Sequence, residues 1–201
     1  MKLTENGDMA AMSGRLDATT QPRPPAGLAR NLLFLREEEL RLAQDLLFFG
    51  YRDFTAGADR ILEQMGMGRA HHRVLHFVGR APGITVGDLL AILAITKQSL
   101  GRTLQPLMAQ GYVEQRPGRL DKRQRLLFLT ESGRALELRV FEAQRAWVQR
   151  AYREAGPEAV EGFRRVMRGL MGPEARSQFE ALERARPPGS GIAGGGPGSG
   201  R

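Results

Sequence analysis

The sequence predicts a mainly α-helical fold with one small β-hairpin. Apolar residues recur at three- and four-residue steps along most of the chain, which is the spacing of amphipathic helices. A Pro-Gly turn separates two short β-prone segments, GYVEQR and KRQRLLFLT, which is typical of a hairpin. Residues 1–27 are predicted to be a flexible arm, and the Gly/Pro/Ser-rich residues 187–201 a disordered tail. The folded domain is therefore expected at residues 28–186.

Composition restricts the classes of function. The chain has 201 residues, enough for one domain, and 30 Lys/Arg against 22 Asp/Glu give a net charge of +8. Such an excess favours a polyanionic partner, with nucleic acid ahead of an acidic membrane surface. The absence of cysteine excludes disulfides, thiolate catalysis and zinc–cysteine sites. Because the start lacks a secretory signal and the densest apolar run, Leu46–Phe49, is too short to span a bilayer, we expect a cytoplasmic protein without a membrane partner.

The first two helices are predicted from their apolar periodicity. One covers Leu32–Met65, and the second runs from about Gly68 to Arg80, where APG stops it. Gly50 and Gly57 are expected to weaken the first helix. Its apolar stripe consists of Leu35, Leu42, Leu46 and Phe49.

Two threonines mark the next two helices. Thr85 precedes Asp88 in a Thr-x-x-Asp start that suits a helix N-terminus, and this third helix ends near Leu93. Thr96 is expected to cap a fourth helix that continues to Gly111. The two helices, joined by a short turn, predict a helix-turn-helix unit.

After the hairpin, Thr130 is expected to begin a long helix that breaks at Gly156-Pro157. The last helix carries Phe163, and at Gly172-Pro173 it either ends or resumes in RSQFEALERAR. Trp147 and Phe163 are predicted to be core or dimer contacts, with the lining of a cavity as the alternative. The apolar residues of these helices recur at three- and four-residue steps. They are Leu136, Val140, Ala143, Trp147, Phe163, Val166, Met167 and Leu170.

The fourth helix has two distinct sides. Leu100, Leu104 and Leu107 share one side and are expected to pack inward. Packing against the core does not account for the residues of the opposite side. They include the types that read base edges, since Arg pairs with guanine and Gln with adenine. This polar side consists of Gln98, Ser99, Arg102 and Gln105.

The hairpin is strongly basic. Between Thr96 and Arg125 the chain carries seven Lys/Arg against two acids. A basic loop beside such a helix is suited to the phosphate backbone, or to the minor groove through Arg119. Asp121 is expected to shape the loop by pairing with Arg123. The alternative interpretation of the basic run is an ordinary solvated turn.

The basic hairpin contains an Asp-x-Arg pattern, which is followed at fixed spacing by Leu-Thr and Gly. Together with TVGDLLAILAITKQSLGRTLQPL and QGYVEQR, it resembles the winged helix-turn-helix of the MarR family of bacterial transcriptional regulators. The resemblance is strongest over residues 68–136, which we take as the DNA-binding core. The matching wing residues are Asp121, Arg123, Leu129, Thr130 and Gly133.

The resemblance implies a mainly α winged helix-turn-helix fold with a helical dimerisation region. It further implies a homodimer that binds a pseudo-palindromic operator on double-stranded DNA, usually as a repressor, and responds to a small aromatic or acidic effector. By position, His71 and His72 lie beside the family's effector site. The missing cysteines argue against the peroxide-sensing branch. The predicted DNA-contacting residues are Thr96, Lys97, Gln98, Ser99, Arg102, Gln105, Arg119, Lys122 and Arg123.

Other classes of function have weaker support. His72 and His76 share a helix face, but nothing nearby completes a metal site, so we predict no metal and no cofactor. No nucleophile motif, P-loop or supported acid pair is present, and we therefore predict that the protein is not an enzyme. A winged-helix adaptor that contacts an acidic protein remains the alternative to DNA binding. Pro106 lies inside the fourth helix, where a proline removes a backbone donor and tends to kink the chain.

Overall fold

The structure, a computed structural model, describes residues 33–184. The predicted flexible arm and disordered tail lie outside these residues. Of the described part, residues 33–46 belong to one compact unit and residues 47–184 to a second. Within this range, no helix combines the length and apolarity that a membrane crossing requires.

The first unit contains a short 3-10 helix, Leu33–Leu35, and the start of helix α1, which spans Glu37–Glu63. Three glutamates in the first turn of α1 favour the positive end of the helix dipole. The predicted apolar stripe is solvent-exposed in the chain, including Leu35, Leu42 and Leu46. The periodicity that predicts the helix is therefore real, but these side chains are not part of the core.

The second unit contains the remaining part of α1, five further helices and three short strands among its described residues. They are α2 (Arg69–Arg80), β1 (Ile84–Thr85), α3 (Val86–Leu93), α4 (Lys97–Ala109), β2 (Val113–Pro117), β3 (Arg125–Leu129), α5 (Glu131–Leu170) and α6 (Pro173–Arg184). The predicted order of helices, hairpin and further helices is confirmed.

The sheet has one strand more than the sequence predicted. The hairpin of β2 and β3 is present, with Val113 opposite Leu129 and Pro117 opposite Arg125. A third strand, β1, pairs with the other side of β3, where Ile84 lies opposite Leu127. The predicted hairpin is therefore confirmed, and β1 was missed because a two-residue strand is too short to show alternation in sequence.

The core lies beneath the helix-turn-helix. Helix α2 is central to it, since it contacts α3, α4, α5 and β3. Burying each leucine side chain stabilises the fold by roughly 1.5–3 kcal/mol. The largest fully buried side chains are Leu62, Leu75, Leu89, Leu100, Leu107, Leu127, Val74, Val78 and Val140.

The predicted helix starts at Thr85, Thr96 and Thr130 and the break at Gly156 are confirmed, whereas the first α-helix begins at Glu37 and not at Leu32. Thr85 Oγ1 accepts a hydrogen bond from the Asp88 amide at 3.0 Å at the start of α3. Helix α5 is interrupted at Gly156, whose φ of 80° and ψ of 167° are not helical. The chain leaves α5 after Leu170 and resumes as α6 at Pro173, which settles the alternative left open there.

Candidate nucleic-acid interface

The turn of the helix-turn-helix is held by a side chain from outside it. At Ala94, after the last residue of α3, φ is 51° and ψ is 46°, the left-handed region that non-glycine residues rarely adopt. The Arg73 guanidinium, from α2, donates to the Leu93 carbonyl at 2.9 Å. Sequence reasoning missed this contact, because a lone arginine on a helix does not reveal an acceptor twenty residues away.

Helix α4 begins at a threonine cap, as predicted. Thr96 Oγ1 accepts a hydrogen bond from the Ser99 amide at 3.2 Å and donates to Ser99 Oγ at 3.0 Å. The two hydroxyls are therefore already engaged with each other in the free protein, and their contact with DNA stays a prediction. The helix continues through Gly101 and Pro106 to Ala109.

The two sides of α4 are arranged as predicted. Leu100, Leu104 and Leu107 are buried. On the other side, the Arg102 guanidinium and the side-chain amides of two glutamines form no hydrogen bond with any described residue. Their donors and acceptors are therefore open to a partner. The exposed residues of this side are Lys97, Gln98, Ser99, Arg102 and Gln105.

The wing loop, residues 118–124, is closed by three hydrogen bonds. The Gly118 amide donates to the Gln124 carbonyl at 3.0 Å, and the Gln124 amide donates to the Asp121 carbonyl at 3.1 Å. Asp121 Oδ1 accepts from the Arg123 backbone amide at 2.8 Å. Asp121 therefore pairs with Arg123, but through the backbone amide and not through the predicted guanidinium. The carboxylate forms an Asx turn and leaves the Arg123 guanidinium free.

The positive charges of the wing are not equivalent. Arg116 forms an ion pair with Glu114, and its guanidinium lies 4.7 Å from the centre of the Phe128 ring. This arginine is therefore neutralised and stacked against the hairpin. The remaining wing cations are exposed and form no ion pair with a described residue. They are Arg119, Lys122, Arg123 and Arg125.

The Leu-Thr-x-x-Gly pattern holds the base of the wing against α5. Thr130 Oγ1 accepts from the Gly133 amide at 3.0 Å and donates to the Gly111 carbonyl at 2.5 Å. A Cβ atom added to Gly133 would lie 1.9 Å from the Tyr112 carbonyl oxygen, so only glycine allows this approach. The segment that connects α4 to β2 is thereby fixed to the first turn of α5.

The three histidines lie on α2, and burial favours their neutral forms. His71 Nδ1 accepts from the Gly68 amide at 3.1 Å, and burial lowers the pKa of this side chain. Burial also lowers the pKa of His72, against the opposing effect of Asp59. Burial, with smaller contributions from His72 and Arg80, lowers the pKa of His76 to about 4. Within residues 33–184, no three His, Cys, Asp or Glu side chains lie together as a metal site would require.

Two open grooves lie in the second unit. The first runs beside the Arg69–Asp59 ion pair, whose N–O distance is 2.9 Å, and the second lies between α3 and α6. The predicted effector residues His71 and His72 line neither groove, and their role stays a prediction. The first groove is lined by Arg52, Asp53, Ala56, Asp59, Arg60, Glu63, Arg69 and Trp147.

The fold and the free polar side of α4 define a winged helix-turn-helix protein. The model of the MarR family matches residues 65–124. The HTH-type transcriptional regulator PetP of Rhodobacter capsulatus is 52% identical over 154 residues, which cover 77% of this chain and 93% of that protein. The chain therefore belongs to the MarR family of transcriptional regulators.

Solved structures show the same fold. The crystal structure of a MarR family transcription regulator superimposes with a TM-score of 0.58 at 21% identity, over 73% of this chain and 94% of that one. A mutant MarR from E. coli complexed with operator DNA superimposes with a TM-score of 0.54 at 22% identity, over 70% of this chain and 99% of that one. The predicted fold class is thus confirmed.

Proposed function

We propose that the protein is a sequence-specific DNA-binding repressor that acts as a homodimer on a pseudo-palindromic operator and is released by a small ligand. The single observation that carries the proposal is the free polar side of α4. Gln98, Arg102 and Gln105 are exposed and unengaged with described residues, while the leucines behind them anchor the helix in the core. That arrangement suits insertion into a major groove. The operator DNA in the E. coli MarR complex is in keeping with this use of the fold.

The dimer part of the proposal rests on apolar side chains that the single chain leaves uncovered. In the segment of α5 after Gly156, Phe163, Val166 and Leu170 are 51%, 62% and 59% exposed. Their spacing puts them on one side of the helix. Contiguous exposed apolar surface marks an association site, and two-fold pairing of identical chains is the most common form of association. The two copies of α4, about one turn of DNA apart, would then read an inverted repeat.

The operator is tested by selecting bound sequences from a random pool of duplex DNA with the full-length protein. We expect the recovered sequences to contain an inverted repeat whose half-sites are about one helical turn apart. Recovery of sequences without any shared element would remove the sequence-specific function and favour the adaptor alternative. A shared element without two-fold symmetry would keep DNA reading but remove the symmetric dimer.

The free cations of the wing loop are proposed to contact phosphates. Arg119→Ala should weaken binding on every DNA sequence and reduce the slope of log affinity against log salt by about 0.9 for each wing. The matched control is the double variant Glu114→Gln, Arg116→Gln, which removes the neutralised ion pair without changing the net charge. Its salt slope should stay at the wild-type value. Equal slopes for wild type and Arg119→Ala would remove the phosphate role of Arg119.

The effector part of the proposal places the ligand in the groove beside Trp147. Arg52 and Arg69 in this groove are each ion-paired with an aspartate, and Arg60 forms no ion pair with a described residue. An aromatic acid would combine a carboxylate for the guanidinium groups with a ring for the indole. The groove thereby suits the ligand class that the sequence resemblance implied, although its lining differs from the predicted histidines.

Trp147 is the only tryptophan of the chain, so the tryptophan fluorescence of the protein comes from this residue of the groove. Titration with a panel of simple aromatic carboxylates should change the Trp147 emission and release operator DNA over the same range of concentrations. Arg60→Gln should weaken both effects together. Release of DNA without a change in Trp147 emission would place the effector elsewhere.

A further inference from the structure

Leu120 is unusual among the apolar side chains of the protein. It lies in the wing loop between Arg119 and Asp121, and its relative exposure is 104%. No other large apolar side chain among residues 33–184 is exposed to this degree. Single exposed leucines are common on protein surfaces and need no special account. Leu120, however, belongs to a loop whose other exposed side chains are mainly cations.

The backbone of the loop holds Leu120 away from the sheet. The hydrogen bonds from Gly118 to Gln124 and from Gln124 to Asp121 close the loop on both sides of the residue. A Cβ atom at Gly118 would lie 2.6 Å from the Asp121 carbonyl oxygen, so the two arms of the loop are in close contact. Because this space is filled by backbone, the leucine has no room to fold inward between the arms, and its side chain remains in solvent.

The surroundings of Leu120 match one kind of partner. Proteins that bend DNA insert apolar side chains, leucine among them, between base pairs from the minor groove, and nearby arginines are attracted by the potential of that groove. Binding to an apolar protein surface would instead be unfavourable, because Arg119, Lys122 and Arg123 would lose their hydration. The free cations around Leu120 therefore favour a nucleic-acid partner over an apolar protein one.

We infer that Leu120 is a wedge that enters the minor groove beside each half-site, opens one base step and bends the operator. This inference rests on the proposed DNA-binding function and adds a specificity-determining residue to it. The wedge makes no hydrogen bond with bases, so its sequence preference comes from the ease of unstacking. Pyrimidine–purine steps such as TA and CA unstack most readily. The operator should therefore carry such a step at the flank where each wing lies.

The experiment uses the full-length protein and the DNA recovered from the random-pool selection, with 2-aminopurine placed in turn at each flanking step. Its fluorescence rises when the base is unstacked. Wild type should raise the signal at one step in each flank. Leu120→Ala should abolish that rise and weaken binding about 10-fold, as expected when the contacts that offset unstacking are lost. The salt slope should not change, because no charge is removed.

Leu120→Met is the matched control, since it keeps an apolar side chain of similar volume. It should retain the fluorescence rise and most of the affinity. Both variants should melt at the wild-type temperature, because residue 120 has no packing to lose.

Each other outcome of this experiment contradicts the wedge. If wild type binds the selected DNA and Leu120→Ala gives the same affinity and fluorescence, the wedge is overturned while the proposed DNA reading stands. If Leu120→Ala binds DNA normally but loses transcriptional control in a purified system, Leu120 contacts a protein and the wedge is again overturned. If wild type shows no sequence preference, the wedge and the proposed function fail together, and the wild-type binding measurement alone identifies this case.

Discussion

Helix α4 and the segment of α5 after Gly156 are both amphipathic, but their apolar sides have different surroundings. In α4, Leu100 and Leu107 are 1% and 0% exposed because α2 and the sheet cover them. In the later part of α5, Phe163 and Val166 remain more than half exposed. One helix is completed by its own chain, whereas the other presents an apolar side that the described chain leaves uncovered.

The comparison shows that amphipathic spacing predicts that a side will be buried without saying what buries it. For α4 the covering elements belong to the same chain, so its polar side is the one left for a partner. For the later part of α5, the apolar side itself is available, and we propose that a second copy covers it. The four predictions that follow test this difference, beginning with the largest expected effect.

Leu100→Ala should lower the free energy of unfolding by about 2–5 kcal/mol, because it creates a cavity in a fully packed site. The loss should be the same at every protein concentration, since the packing of Leu100 lies within one chain. Chemical denaturation at two concentrations measures it. Gln105→Ala, on the exposed side of the same helix, should change the value by no more than about 0.5 kcal/mol. If the loss of free energy of unfolding caused by Leu100→Ala varied with protein concentration, the packing of Leu100 would not be confined to one chain, and the proposed difference between the two helices would be contradicted.

Phe163→Glu should weaken self-association by about 30-fold or more, equivalent to about 2 kcal/mol, because it would place a charge in the proposed apolar interface. Sedimentation over a range of concentrations should show mainly single chains for the variant and pairs for wild type. Arg165→Glu introduces the same side chain on another side of the helix and should leave pairing intact. Equal association of wild type and Phe163→Glu would mean that this surface is not the dimer contact.

Arg102→Ala should lose about 1–3 kcal/mol of discrimination between operator and random DNA, because the proposed bidentate base contact would be removed. Arg102→Lys keeps the charge but lacks the planar fork, so it should also lose discrimination while retaining more affinity for random DNA. Competition binding on both kinds of DNA measures the ratio. Weakening by the same factor on operator and random DNA would make Arg102 a phosphate contact.

Thr96→Ala should destabilise the protein by about 1 kcal/mol, since the first turn of α4 loses the acceptor for its Ser99 amide. Thr96→Ser keeps the hydroxyl and should destabilise the protein by only about a few tenths of a kcal/mol. Thermal melting of the three proteins provides the comparison. A loss of DNA affinity in Thr96→Ser as large as in Thr96→Ala would point to a direct DNA contact by the threonine methyl group.

Much of the fold was predictable because its signals are local. The caps at Thr85 and Thr96 depend on residues three positions away, and the break at Gly156 precedes a proline. The exposure of Gln98 and Arg102 follows from their position opposite Leu100 on one helix. Such relationships are set by the helical repeat and hold wherever the helix packs.

The missed features depend on residues far apart in the chain. Strand β1 exists only because β3 passes beside Ile84, and Arg73 reaches a carbonyl twenty positions later. The groove beside Trp147 brings residues 52–69 together with residue 147, so no local pattern could have predicted it.

By itself, the sequence determined which segments are helical, where they begin, and which side of α4 is polar, because backbone geometry converts short spacings into faces. Only the tertiary structure decided which of the wing charges remain free. Arg116 is neutralised by Glu114, two residues earlier on the same strand, and lies against the Phe128 ring of the adjacent strand, whereas Asp121 binds a backbone amide and leaves the Arg123 guanidinium exposed. Formal charge can be counted along a chain, but its availability to a partner depends on the atoms that surround it after folding.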